Sequence, residues 1–140
     1  MMATTTTATL SFEEIILLAQ EAGVPDRELV TCAAIAAAAS SRRPAALGVN
    51  TDGSRDRGLW QINDQAHPDV SEACAFDPQR AAAAMYRMST RGTNWTPWPA
   101  YQNGAYKKFL GEALKARQNV RLDQGYRASD LIILLPVNPV

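Results

Sequence analysis

Apolar positions recur at helical spacing in four stretches of this chain. Phe12, Ile15, Ile16 and Ala19 line one face of a first helix. Ser11 sits where an N-cap belongs, and Glu14, three residues on, completes a capping box. Gly23 stops this helix, and Pro25 opens a second near Asp26. The second helix carries Leu29, Val30, Ala33, Ala34 and Ala37. Its alanines favour the helical state and let neighbours approach closely, so it is the expected central buried helix. Pro44 lies beyond its end. Asp77-Pro78 is a strong start for a third, with Ala81, Ala84, Met85 and Met88 as its apolar face and Gly92 as its stop. The last follows Gly104 and runs to about Val120, with Ala105, Phe109, Leu110 and Leu114 inward.

The period changes between Leu47 and Asn63. Asn50-Thr51-Asp52-Gly53-Ser54 is a turn cluster between two short extended pieces, which predicts a small hairpin with Gly58 to Ile62 as one strand. His67-Pro68 starts a loop, and Trp95, Pro97, Trp98 and Pro99 form an aromatic, proline-rich one. The expected architecture is mainly α (α+β): a helical domain over residues 10–122 with a small β-hairpin. Residues 1–9, rich in Thr and Ala, read as a disordered leader. Residues 123–140 read as an apolar docking tail or added strand, since Leu131-Ile132-Ile133-Leu134-Leu135 is too short to span a membrane. No internal repeat is present.

Composition narrows the function classes. The chain has 14 basic and 14 acidic residues and no net charge, which argues against a nucleic-acid or anionic-membrane partner. The N-terminus lacks the basic segment of a secretory signal peptide. Cys32 and Cys74 allow either one disulfide or two buried thiols. With one histidine, His67, they do not make a typical zinc site. No metal and no cofactor are expected.

The chemistry-bearing block is Asp56-Arg57-Gly58-Leu59-Trp60-Gln61-Ile62-Asn63. It follows a helix ending Ala36-Ala37-Ala38-Ala39-Ser40-Ser41, and Asn94-Trp95-Thr96-Pro97-Trp98 and Tyr101-Gln102-Asn103-Gly104-Ala105-Tyr106-Lys107-Lys108 come later. In this order, over roughly Leu10 to Leu110, the chain resembles lysozyme-like lytic transglycosylase domains, among them those of phage tape-measure and tail-particle proteins. The resemblance implies a lysozyme-like fold with the hairpin beside a cleft, and cleavage of peptidoglycan between N-acetylmuramic acid and N-acetylglucosamine. In such domains the helix ends Ala-Glu-Ser, and the Glu protonates the leaving oxygen. Ala39 occupies that position here.

Further roles carry over on the same resemblance. Tyr101 matches a tyrosine whose hydroxyl reaches toward the acid, and Ser40 lies near that acid. Gly58 lets the backbone approach the sugar, and Gln61 and Asn63 alternate on a strand so that both amides face the cleft. Trp95 and Trp98 are candidates for stacking on sugar faces. Each has a structural alternative: the tryptophans as core, Gln61 as support for hairpin backbone, and Asp52 and Asp56 as turn residues.

Ala39 has two explanations, an introduced Glu-to-Ala change or a natural non-cutting relative. Either makes the chain a binder of peptidoglycan strands more than a cutter. A different class stays open, a structural or cargo component of a phage tail or contractile injection particle held through the tail after Asp130. A wall-acting domain without a signal peptide is expected to be particle-associated or otherwise delivered to the periplasm or cell exterior.

Overall fold

The structure of the chain, a computed structural model, describes residues 8–127. Helix α1 (Phe12–Ala22) begins as the sequence predicts. The Ser11 hydroxyl accepts from the Glu14 N–H, and the Glu14 carboxylate accepts from the Ser11 N–H at 2.8 Å. Gly23 ends the helix in the left-handed conformation, φ 111°, where a Cβ would be strained. A 3₁₀ turn (Asp26–Glu28) leads into α2 (Leu29–Ser40). Nearly all of α2 is buried, and only Thr31, Ala38 and Ala39 are partly exposed. It is the central helix, with α1 and α6 (Leu110–Asp123) packed on it. Helix α4 (Pro78–Met88) packs on α1. Asp77 caps α4 through the Arg80 N–H, with Pro78 in the first turn.

A three-stranded antiparallel sheet, β1 (Leu47–Val49), β2 (Arg55–Arg57) and β3 (Ile62–Asn63), lies to one side. Gly48 pairs with Asp56, and Asp56 in turn with Asn63. The fold is thus mainly helical with a small sheet, as expected. One element differs. Residues 58–61 are not strand but the turn joining β2 to β3, with Gly58 at φ 80° and Gln61 at φ 51°. The reason is packing. Leu59 and Trp60 drive fully into the core, and the Trp60 indole donates to the Cys32 carbonyl at 3.4 Å. An alternating strand would have turned one of them outward.

Two short helices were not read from the sequence, α3 (Glu72–Phe76) and α5 (Pro99–Gln102). The last helix is also divided, a 3₁₀ turn (Ala105–Phe109) preceding α6. Both cysteines are free thiols, and burial pushes the Cys32 thiol far up from its ordinary pKa. Among the described residues no helix is long and apolar enough to cross a membrane. The first seven residues of the expected leader and residues 128–140 of the expected tail lie outside the described residues.

Candidate functional site

The end of α2, the sheet and the Trp98 loop enclose a cleft of about 570 Å³. Its helical wall is apolar: Ala38 and Ala39 from α2, Met88 from α4, and Pro97, Trp98, Pro99 and Ala100 from the following loop and α5. Its sheet wall is polar, built of Asn50, Asp52, Ser54, Asp56, Gln61 and Asn63, with His67 at one end and Asn103 from beyond α5. No lysine or arginine is among the lining residues. The cleft therefore suits an uncharged polar ligand with apolar ring faces better than an anionic one.

The sheet wall is a closed hydrogen-bond network. Asp52 Oδ1 accepts from the Ser54 backbone N–H at 2.8 Å and from its hydroxyl at 2.6 Å. Asn50 Nδ2 donates to Ser54 Oγ at 3.0 Å and to Asp56 Oδ2 at 3.2 Å. Asn63 Nδ2 donates to the same Ser54 Oγ and to Asp56 Oδ1 at 2.9 Å. The Asn63 Oδ1 is occupied too, accepting from the backbone N–H groups of Gln65 and Ala66. Hydrogen bonds from Ser54 hold the Asp52 carboxyl below its ordinary range. Asp52 is therefore ionised at neutral pH and has no proton to give. Both Asp56 oxygens are already acceptors.

The predicted site residues divide between this cleft and other places. Ala39, Gln61, Asn63 and Trp98 line it together. Gln61 and Asn63 get there by a different route from the expected strand alternation, because Gln61 belongs to the turn. Gln61 Nε2 donates to the carbonyls of Ala46 at 3.2 Å and Gly58 at 3.0 Å, which leaves Oε1 as its open group. Trp98 is 3% exposed, with its indole N–H on the Trp60 carbonyl at 2.8 Å and its ring tilted against Trp95. It contributes an edge to the cleft and no stacking face.

Four predicted residues stand elsewhere. Ser40 is buried, and its hydroxyl donates back to the Ala36 carbonyl at 2.9 Å. Gly58 serves packing: a Cβ there would lie 2.0 Å from the Ala75 carbonyl oxygen, so the close approach is to α3 and not to a sugar. Trp95 is buried, donating to Glu28 Oε1 at 2.7 Å. It lines a separate pocket of about 490 Å³ with Glu28 and Tyr106. Tyr101 lines that pocket as well, stacked on Tyr106 with centroids 5.0 Å apart. α5 explains the split, since Pro99 and Ala100 face the cleft and the next side chain turns to the other side.

Sequence reasoning missed His67, Met88 and Asn103 as cleft residues. Asn103 Oδ1 accepts from the Ala105 N–H, and its Nδ2 has no partner among the described residues. The His67 ring has none either. A histidine in a loop and an asparagine after a proline-rich stretch carry no signal of direction. Among the described residues no group of three or more His, Cys, Asp or Glu is placed to hold a metal.

The family model for a lysozyme-like domain matches residues 16–100, more than half the chain. The chain belongs to the lysozyme-like domain family, whose domains cleave glycan strands and whose substrate is peptidoglycan. The match runs from α1 into α5, includes most of both walls of the cleft, and stops one residue before Tyr101. No curated protein matches the chain.

Proposed function

We propose that the cleft holds a glycan strand of peptidoglycan and that this chain, with Ala39 in place of the acid, binds the strand without cutting it. The observation that supports this reading is the position of Ala39, on the cleft surface, opposite a wall of hydrogen-bonded carboxylates. Glycoside cleavage needs a group that protonates the leaving oxygen. The helical wall carries no carboxyl group, Asp52 is held ionised, and Asp56 accepts from two amides. The groups left for a sugar are acceptors and donors of the ordinary kind: Gln61 Oε1, Asn103 Nδ2 and the His67 ring. They fit the N-acetyl and hydroxyl groups of an amino sugar.

The test pairs this chain with Ala39→Glu on purified sacculi. The parent is expected to sediment with the sacculi and release no muropeptides. Ala39→Glu is expected to yield new glycan ends by mass spectrometry, either reducing ends or anhydro ends. A parent that stays in the supernatant, together with a silent Ala39→Glu, would overturn the proposal.

A further inference from the structure

A second groove lies on the far side of α1. It has a volume of about 500 Å³ and is lined by Leu10, Leu17, Leu18 and Pro78, with Glu14, Gln20 and Glu21 as polar lining. Leu17 is 46% exposed there, on a face of α1 bordered by Pro78 at the start of α4. The end of α6 meets this groove. Gln124 Nε2 donates to Gln20 Oε1 at 2.8 Å, and Gln20 Nε2 returns to Gln124 Oε1 at 3.4 Å. Gln124, three residues before the last described one, thus stands beside one end of an open apolar groove.

We propose that this groove is the docking site of the chain's own segment Leu131 to Leu135. Length supports it. Leu131 is seven residues past Gln124, a reach of up to about 23 Å when extended. Five extended residues cover about 16 Å, and α1 (Phe12–Ala22) is also about 16 Å long. Chemistry supports it too. The segment offers five large aliphatic side chains in a row, ending at Pro136. The N-terminal stretch that precedes Leu10 is mostly threonine and has little to bury. The groove's acidic lining disfavours an acidic occupant, and Leu131 to Leu135 carries no charge.

The test is a double-mutant cycle on the full chain with Leu17→Asp and Ile133→Asp. Each single change is expected to lower Tm by on the order of 5 °C. The double variant should fall no further than the worse single one, because both remove the same contact. Amide exchange over residues 14–21 should speed up in Ile133→Asp, and every form should stay monomeric by light scattering. Additive losses of Tm, or an Ile133→Asp that leaves Tm and exchange unchanged, overturn the proposal. So does a full chain that self-associates and is made monomeric by Ile133→Asp, which assigns the segment to a second copy.

Discussion

The two walls of the cleft are made by opposite means. The helical wall is alanine and proline with Met88 and Trp98, and it has no ionisable group. The sheet wall is polar at nearly every position, yet most of its groups are engaged with one another. One wall lacks a reactive group, and the other has polar groups held in place. On the proposed reading the cleft keeps its shape without an acid at Ala39, because no hydrogen bond of the polar network reaches α2. Shape and reactivity would then be separable, and each could be removed alone.

The largest expected effect restores reactivity. Ala39→Glu should raise the rate of glycan cleavage on the order of 10²–10⁴-fold over this chain. Ala38→Glu, one residue back on the same wall, should not. Equal gains from both, in a muropeptide release assay, would mean that position on the helix is irrelevant. Next comes loss of the polar wall. Gly58→Ala drives a Cβ into the Ala75 carbonyl at a residue of φ 80° and should cost at least about 3 kcal/mol in denaturant unfolding. A tolerated Gly58→Ala would show that the sheet can shift off α3 without harm.

Gln61→Ala is expected to be intermediate. It removes hydrogen bonds to two backbone carbonyls and should lose about 1–2 kcal/mol of stability, with weaker sacculus binding alongside. Weaker binding at an unchanged Tm would make Gln61 a ligand contact alone. The smallest effect is electrostatic. In Ser54→Ala, Asp52 should titrate closer to its ordinary value by NMR. The Asp52 pKa is depressed in the fold, so its contribution is present above the unfolded pKa and lost as pH falls through the folded one. The Asp52 part of the Ser54→Ala loss should therefore be present at neutral pH and vanish in acid, leaving only the loss of the Asn50 and Asn63 contacts to Ser54 Oγ. An unmoved Asp52 would mean that Ser54 is not what holds it ionised.

The parts of this molecule legible in the sequence are those set by neighbours along the chain. The Ser11–Glu14 box, the Asp77-Pro78 start and the Gly23 stop act over a few residues, and all three stand where they were read. The buried α2 was legible because alanine and aliphatic residues cover its whole circumference. The turn at residues 58–61 was not, since it depends on a carbonyl of α3 and on the pull of Trp60 into the core. Ala39, Gln61 and Asn63, singled out through a motif, line one cleft together. Tyr101 and Trp95 were misdirected, because their facing is fixed by Tyr106 and by Glu28, the latter 67 residues from Trp95. No pattern of spacing encodes such a partner.

The free thiols have a consequence of a topological kind. Cys32 and Cys74 are the chain's only cysteines, and neither is cross-linked. The described fold is therefore an unbranched thread held by reversible contacts alone. Drawn out from one end, it would pass as a single strand with no covalent loop to catch. Its described contacts call for no disulfide to form before they are made, whether the surroundings are reducing or oxidising.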